Sequence, residues 1–258
     1  MLIRSYLSTL KRVLKRDRYL IENPASISCD HNLGSAIFAL ALAHLVLHKP
    51  ACKLVQVGAN SGKSAHDLFD EISKFRLRSL LIEPQADVFN VLKKNYSGMD
   101  YVVCVNAAIA PEKASRTIYR LSERANCFQL KGKSFGNGIA SFSRDHVWQY
   151  FQSHCTPEGR NELPESIIVE FNVQCEQYET LANSYGFGTF DILLVDTEGF
   201  DFEILKLINI GERKPRLIKF EHKHLSVGDR REAWEYLKQM KYHQFVIEKT
   251  GDTVALLL

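Results

Sequence analysis

The chain has 258 residues, 45% of them apolar, so it is long enough to bury one sizeable hydrophobic core. Its 33 basic and 30 acidic side chains give a formal net charge of +3, and that total does not require a nucleic acid as a partner. None of the six cysteines is spaced as in a Cys-x-x-Cys pair or a metal finger, which favours a reducing, cytoplasmic location.

The first 50 residues are predicted to form an N-terminal helical extension. Positive charge is concentrated at its start, where Asp17 is the one acid beside Arg4, Lys11, Arg12, Lys15, Arg16 and Arg18. A solvated arm fits this pattern, and so does weak contact with a membrane surface or a polyanion. The apolar stretch 36–47 is too short to span a bilayer, so we expect a buried helix there and no transmembrane segment.

Residues 51–258 are predicted to form one α/β domain, since short apolar runs alternate with helical stretches as in a parallel sheet covered on both faces. Ala65, Leu68, Phe69 and Ile72 give the first crossover helix one apolar face. A second helix is expected over 85–96. The predicted parallel strands are 54–57, 79–82, 101–105, 191–196 and 216–221, and the runs 243–248 and 253–258 predict a closing antiparallel hairpin.

An insertion at about 112–175 interrupts the alternation of strands and helices. Its segment 131–138 is rich in glycine and polar residues, as expected of a loop that orders over a site, and 167–173 has the composition of a strand. We expect the insertion to carry substrate specificity, and no motif in it identifies the acceptor.

The strongest local signal is the run from Leu54 to Gly62, which reads as a buried strand followed by a glycine turn. Such a turn lets the backbone approach a ligand closely, and the helix after it offers unpaired N–H groups. Glu83 closes the next apolar run, 21 residues after Gly62. A carboxylate at that separation suits the ribose hydroxyls of an adenosine moiety.

The spacing of the glycines indicates which adenosine ligand is favoured. Gly58 and Gly62 frame Gly-x-x-x-Gly, which is not the Gly-x-Gly-x-x-Gly of dinucleotide sites. Gly62-Lys63-Ser64 resembles the end of a Walker loop, but only three residues separate Gly62 from Gly58 where four are needed. S-adenosylmethionine, an adenosyl ligand without phosphate, therefore fits best.

Five segments, taken together, resemble the FkbM-type S-adenosylmethionine-dependent methyltransferases over roughly residues 54–250. They are Val55-Gln-Val-Gly-Ala-Asn-Ser-Gly62, Ile82-Glu-Pro84, Val105-Asn-Ala107, Leu194-Val-Asp-Thr-Glu-Gly-Phe200 and Phe220-Glu-His222. The resemblance implies a class I methyltransferase fold, Rossmann-like, with a seven-stranded, mostly parallel sheet, helices on both faces and a C-terminal antiparallel hairpin. It also implies methylation of hydroxyl groups, often on sugars or secondary metabolites.

Two positions depart from the pattern of that family. Many members carry an acidic residue where this chain has Gln56, and many carry Asp where it has Ser61. The carbonyl oxygen of Gln56 can still accept a hydrogen bond from the methionine amine of the cofactor, although it brings no charge.

The expected cofactor-binding residues follow the carboxyl ends of successive strands. Glu83 would accept hydrogen bonds from the ribose, Pro84 would direct it inward, and Asn106 and Ala107 would border the adenine. Capping of a turn is the alternative for Asn106. Ser141 resembles a serine of the family beyond the adenine strand. The full expected set is Gln56, Gly58, Ala59, Asn60, Gly62, Glu83, Pro84, Asn106, Ala107, Ser141 and Asp196.

Asp196, Glu221 and His222 are the candidate catalytic residues, because methyl transfer to oxygen needs alignment and a base for the hydroxyl proton. Asp196 could be that base or could cap a helix. Strand alternation sends Glu221 and His222 to opposite sides, and His224 is expected to be an ordinary residue. A divalent ion on Asp196, Glu221 and His222 is an alternative, but without clustered ligand spacing no metal is favoured.

The resemblance thus implies an O-methyltransferase whose partner is a small-molecule or saccharide acceptor, acting on a hydroxyl of a saccharide or of a glycosylated or secondary metabolite. The alternative is a catalytically inactive S-adenosylmethionine-binding module that serves as a subunit or scaffold. RNA methylation is disfavoured because no basic, aromatic surface and no Asn-Pro-Pro-Tyr/Phe signature is evident. A homo-oligomer remains open.

Overall fold

The computed structural model of the chain describes residues 26–28, 31–49, 51–63, 68–130, 135 and 139–258. The basic arm predicted at residues 1–18, Ala65 of the first crossover helix, and all of the glycine-rich segment 131–138 except Phe135 lie outside these residues. None of the described helices combines the length and the apolar character needed to cross a bilayer.

The described part of the chain contains twelve strands, of which eight were predicted with bounds that differ by up to three residues at an end. They are β1 (Ser26–Ser28), β2 (Lys53–Val57), β3 (Arg78–Ile82), β4 (Val102–Val105), β5 (Ala108–Ile109), β6 (Ala114–Leu121), β7 (Ala140–Ser141), β8 (Ile168–Glu176), β9 (Ile192–Val195), β10 (Leu217–Glu221), β11 (His243–Ile247) and β12 (Asp252–Leu256).

The nine α-helices of the described residues are α1 (His31–His48), α2 (Phe69–Phe75), α3 (Ala86–Asn95), α4 (Arg144–His154), α5 (Pro164–Ile167), α6 (Tyr178–Tyr185), α7 (Asp201–Leu207), α8 (Ile210–Arg213) and α9 (Val227–Gln239). Two short 3-10 helices, Glu123–Phe128 and Gly159–Asn161, lie in the predicted insertion.

The main sheet has the strand order β1-β11-β12-β10-β9-β2-β3-β4. Neighbouring strands are parallel except at β12, which runs antiparallel to both β10 and β11. This arrangement confirms the class I methyltransferase fold with its C-terminal hairpin. The predicted seven strands are all present, and β1 adds an eighth that is too short to give a period-two pattern in the sequence.

Helices cover both faces of the main sheet. On one face α1 packs Ile37, Ala41, Leu42 and Leu45 against the part of the sheet formed by β10, β11 and β12. This packing confirms the buried helix predicted at 36–47. On the other face α6, α7 and α9 pack against the central strands. Because β1 and α1 both join the main sheet, the described part of the first 50 residues is continuous with the α/β core.

A second sheet, ordered β5-β8-β6-β7, is built mainly from the predicted insertion. The long strands β6 and β8 pair antiparallel, and α4 buries Val147 and Phe151 in a small core beneath them. Residues 167–173 are confirmed as strand, since they fall largely within β8. The insertion thereby brings β6, β7 and α4 beside the carboxyl edge of the main sheet.

Candidate functional site

A cleft opens where β2, β3 and β9 end and the second sheet begins. We call it the main cleft. It is lined by Val57, Gly58, Asn60, Glu83, Pro84, Gln85, Ala107, Ala108, Ile109, Ile118, Ala140, Ser141, Phe142, Asp196, Thr197, Glu198, Phe200 and Ile204. Ligands of open α/β sheets bind at the carboxyl ends of the strands, so this position is the expected one.

The turn after β2 forms one wall of the main cleft and depends on Gly58. Gly58 has a φ of +78°, and a Cβ atom there would lie 1.7 Å from the carbonyl oxygen of Asp196. Asn60 also has a positive φ, and its backbone N–H points at Glu83. The turn therefore brings the ends of β2 and β9 into direct backbone contact.

The structure does not bring all of the predicted turn residues to the cleft. Ala59 is fully buried in the core beside α1, and Gly62 faces Tyr96 and Leu92 of α3, where a Cβ would meet the tyrosine ring at 2.4 Å. Both residues shape the turn from behind. Gly58 and Asn60 are the members of the predicted turn that line the main cleft.

Glu83 is buried at the end of β3 with both carboxylate oxygens held in place. Oε2 accepts a hydrogen bond from the Asn60 N–H and Oε1 accepts one from the Gln85 N–H, each at 2.9 Å. Burial raises the pKa of Glu83 to about 7, and the two backbone hydrogen bonds partly oppose that rise. Each oxygen keeps a second lone pair for a ligand hydroxyl.

The residues after Glu83 and β4 separate into lining and supporting roles. Pro84 and Ala107 line the main cleft, as expected. Asn106 instead donates from Nδ2 to the carbonyl oxygens of Glu83 and Pro84, at 2.8 and 3.0 Å. It is absent from the lining of the main cleft and braces the turn that presents Glu83, which is the capping alternative.

Asp196 follows β9 and lines the main cleft together with a second, smaller one. We call the second one the side cleft; its lining is Gln56, Leu194, Val195, Asp196, Lys219, Glu221, Lys223, Thr250 and Asp252. Solvent in the clefts reaches the Asp196 side chain. Desolvation of the carboxylate, followed by the charges of the nearby Asp201 and Glu198, raises the pKa of Asp196 above the usual range of aspartate. A carboxylate with a raised pKa is suited to accept a proton near neutral pH.

Asp196 does not cap a helix, because α7 begins five residues later and Phe200 occupies the N-cap position without a side-chain bond. The intervening turn is tied down by Asp201, which is fully buried. Asp201 accepts hydrogen bonds from the Thr197 N–H and hydroxyl and from the Glu221 N–H. It thereby couples the end of β9 to the end of β10.

Glu198 occupies a left-handed backbone conformation, with φ of +51°, followed by Gly199 at +99°. Ser141 of β7 donates from Oγ to the Glu198 carbonyl oxygen at 3.1 Å and also lines the main cleft. The second sheet is thus hydrogen-bonded directly to the turn that follows Asp196.

Four side chains converge beside this turn, and we call them the His–Glu cluster: His146, Glu198, Glu221 and His224. His224 Nε2 lies 3.2 Å from Glu198 Oε2 and 3.5 Å from Glu221 Oε2, and His146 Nε2 lies 3.6 Å from Glu198 Oε2. Burial, and then the neighbouring His146, lowers the pKa of His224 to about 3, so its imidazole is neutral.

Glu221 and His222 do point to opposite sides, as strand alternation predicts. Burial, followed by Asp196 and Glu198, raises the pKa of Glu221. His222 is buried on the far side, where Nδ1 lies 2.9 Å from Thr253 Oγ1 and the ring packs edge-on against Trp234. Since His222 lines neither cleft, its position corrects the expectation that it faces the reacting centre.

Gln56 lies on β2 and faces the side cleft, so the structure separates it from Gly58 and Asn60. His224 and His146 were missed by the sequence reasoning. His224 was expected to be ordinary, although it stands three residues after Glu221 and a turn at that point suffices to bring them together. His146 carries no local signal, because it reaches the cluster only through the fold of the insertion.

The mostly parallel main sheet, the order of its strands and a cleft at their carboxyl ends define a class I methyltransferase-like α/β protein. The family model described as "Methyltransferase FkbM domain" matches residues 56–247. The chain belongs to the FkbM methyltransferase family. A search of curated proteins gave no match.

Solved structures with a similar fold share little sequence with this chain. Methyltransferase FkbM from Methylobacillus flagellatus KT is 13% identical with a TM-score of 0.45, and the match covers 81% of this chain but only 44% of that one. An O-methyltransferase from Bacillus cereus in complex with SAH is 11% identical with a TM-score of 0.41, over 97% and 91% of the two chains. The delta-N METTL16 MTase domain is also 11% identical, with a TM-score of 0.42, over 96% and 94%.

Proposed function

We propose that this protein transfers the methyl group of S-adenosylmethionine to a hydroxyl oxygen of a saccharide or a glycosylated small molecule. The observation that carries the proposal is the placement of Glu83 and Asp196 in one cleft. Glu83 offers two fixed acceptor oxygens at the end of β3, and Asp196 offers a carboxylate of raised pKa at the end of β9.

Glu83 suits the cofactor because a ribose presents two neighbouring hydroxyl donors. The backbone N–H groups of Asn60 and Gln85 fix the carboxylate before any ligand arrives, so little ordering is needed on binding. Ala107, Ile109 and Ile118 supply apolar surface in the same cleft for a flat adenine ring.

Asp196 suits the proton transfer that accompanies methyl transfer to oxygen. The acceptor oxygen forms a bond to the methyl carbon as the carbon–sulfur bond breaks, and the sulfonium leaves as a neutral thioether. The hydroxyl proton passes to the Asp196 carboxylate. General-base assistance of this kind contributes about 100- to 10,000-fold in rate, with alignment supplying a further part.

The cofactor part of the proposal is tested by calorimetric titration with S-adenosylmethionine and S-adenosylhomocysteine. We expect dissociation constants in the micromolar range, near −8 kcal/mol, and a loss of at least about tenfold in Glu83→Gln, which removes one charged acceptor. Glu112→Gln is the matched control, because the Glu112 side chain is 75% exposed and lies outside the lining of both clefts. Equal affinity in both variants would refute the assigned cofactor site.

The acceptor is tested by transfer of labelled methyl from S-adenosylmethionine to a panel of sugars and glycosides, with the product linkage read by mass spectrometry. An O-methyl product would support the proposal. Cofactor binding without transfer to any member of the panel, together with a stable protein partner, would favour the inactive binding module.

A further inference from the structure

With Asp196, the His–Glu cluster contains two overlapping groups of side chains whose atoms could bind a metal ion. The ligand-type atoms of His146, Glu198 and His224 lie within 4.8 Å of one another, and the same holds for those of Asp196, Glu198 and Glu221. Glu198 belongs to both groups and is therefore the centre of the arrangement.

The separations inside the cluster match those between ligands of a metal ion. Zinc binds imidazole nitrogen and carboxylate oxygen at about 2.1 Å, and in a tetrahedral site two such ligands lie about 3.4 Å apart. The observed nitrogen–oxygen separations are 3.2, 3.5 and 3.6 Å. The distances from Glu198 Oε2 to His146 Nε2 and His224 Nε2 are therefore close to those between two ligands of one ion.

Buried atoms of the cluster also lack the partners that a finished polar network would give them. Among the described residues, His146 Nε2, Glu198 Oε2 and Glu221 Oε2 make no hydrogen bond, although each atom is shielded from solvent. An unsatisfied buried polar atom costs about 1–3 kcal/mol, and more when it is charged. An ion bound between His146 and Glu198 would give two of these atoms a partner.

The charge of the region favours a cation at this position. Asp196, Glu198 and Glu221 place three carboxylates within 4.8 Å of one another, and a cation between them would offset their charge. Lys219 and Lys223 of the side cleft offset part of this charge. The charge of Lys219 is itself partly balanced by Asp252, because Lys219 Nζ lies 3.6 Å from Asp252 Oδ1. The left-handed conformation of Glu198 is a further sign, because backbone strain concentrates at functional sites.

We propose that His146, Glu198 and His224 bind a divalent first-row transition-metal ion, with Glu221 and Asp196 adjacent to it. Imidazole nitrogen ligands favour ions such as Zn²⁺, Fe²⁺ or Ni²⁺ over Mg²⁺ and Ca²⁺, which prefer all-oxygen sites. This ligand set differs from Asp196, Glu221 and His222, because His222 lies on the far side of the sheet.

The ion would border the main cleft, since Asp196 and Glu198 line it. If the proposed methyl transfer is correct, on which this step rests, the ion would bind the acceptor through its hydroxyl oxygens. A bound cation lowers the pKa of such a hydroxyl and orients it. The site would then select acceptors with neighbouring oxygens, as in a saccharide.

The binding site is tested with full-length protein that has been treated with a chelator and titrated with Co²⁺, following its visible absorption bands, and then with Zn²⁺ as competitor. We expect saturation at one ion per chain. Loss of a residue that only hydrogen-bonds a metal ligand already costs about 10- to 100-fold in affinity. His146→Gln and His224→Gln should therefore each weaken binding by at least about 100-fold.

His154→Gln is the matched control, because His154 lies on α4 with His146 but stacks on Tyr150 and contacts its carbonyl oxygen. Thermal melts without metal establish that all three variants fold. Absence of saturable Co²⁺ binding by the wild type would overturn the proposal, and so would equal affinity in the wild type, His146→Gln and His224→Gln.

Calorimetry with S-adenosylhomocysteine on the metal-free protein separates this proposal from the proposed function. Binding of S-adenosylhomocysteine without saturable Co²⁺ binding overturns the metal site and leaves the cofactor site standing. Saturable Co²⁺ binding that depends on His146 and His224, without any S-adenosylhomocysteine binding, supports the metal site and overturns the cofactor assignment.

Discussion

The two ends of the main cleft differ in how their carboxylates are satisfied. At the β3 end, both oxygens of Glu83 accept backbone hydrogen bonds. At the β9 end, Glu198 buries an oxygen atom without a hydrogen bond from any described residue, and so does Glu221 at the end of β10 in the adjoining side cleft. The first end is preorganised by short-range chain geometry, whereas the second is left incomplete by the protein itself, which is the arrangement expected of a site that waits for a ligand.

The largest effect is expected from changing the turn that joins the two ends. Gly58→Ala would place a methyl group 1.7 Å from the Asp196 carbonyl oxygen at a positive φ. We expect the free energy of unfolding in urea to fall by about 4 kcal/mol or more. Gly98→Ala is the control, since Gly98 has a φ of +84° but no neighbour within 4 Å, and only the strain of about 1–2 kcal/mol should remain. Equal losses would show that the contact with Asp196 is unimportant.

Substitution of the base should affect the reaction at the β9 end and spare the cofactor at the β3 end. For Asp196→Asn we expect methyl transfer to slow by about 100- to 10,000-fold, because the isosteric amide cannot accept the proton. The affinity for S-adenosylhomocysteine should stay within a few-fold of the wild type. Single-turnover kinetics measure the first quantity and calorimetry the second. An equal loss of the methyl-transfer rate and of the affinity for S-adenosylhomocysteine would assign Asp196 to cofactor binding alone.

The stability of the β3 end should depend on pH through Glu83. Its pKa is about 7 in the folded protein against an ordinary value of 4.5 for a free glutamate, so the folded state binds more protons between these values. Stability therefore falls as pH rises through this window, by up to about 3 kcal/mol for this group. Urea titrations between pH 5 and 8 should show the wild type losing stability relative to Glu83→Gln. A constant difference would contradict the raised pKa.

The smallest effect is expected where the second sheet meets the β9 end. Ser141→Ala removes the hydrogen bond to the Glu198 carbonyl oxygen and should lower the free energy of unfolding by about 1 kcal/mol. Ser153→Ala is the control, since Ser153 is exposed on α4 and bonds only to the Gln149 carbonyl of its own helix. Equal urea midpoints for the two variants would show that the hydrogen bond from Ser141 does not stabilise the protein.

The β3 end could be predicted from the sequence because its parts are close together in the chain. A buried strand, a glycine turn and a carboxylate closing the next strand form a local pattern, and the alternation of apolar runs with helical stretches predicted seven of the eight strands of the main sheet to within two residues. Ala59 and Gly62 were assigned to the wrong side of the turn, since a motif gives spacing but not the direction in which each backbone unit faces.

The β9 end could not be predicted, because it is assembled from distant parts of the chain. His146 comes from the insertion, Glu198 from a left-handed turn, Glu221 from the end of β10, and His224 from the segment after it. Nothing in the local sequence around His146 indicates that α4 lies beside the turn after β9. Alternation did separate Glu221 from His222, but the turn that returns His224 to the same side has no comparable period.

The hydrogen bond from Ser141 to Glu198 links the turn after Asp196 to the second sheet. Local opening of the second sheet would release β7 and α4 together, and with them a brace of the turn after Asp196 and one imidazole of the His–Glu cluster. Amide protons of that turn and of α4 should therefore exchange with solvent as one cooperative unit. A ligand held by the cluster would then slow exchange across both sheets at once, although it touches only a few side chains.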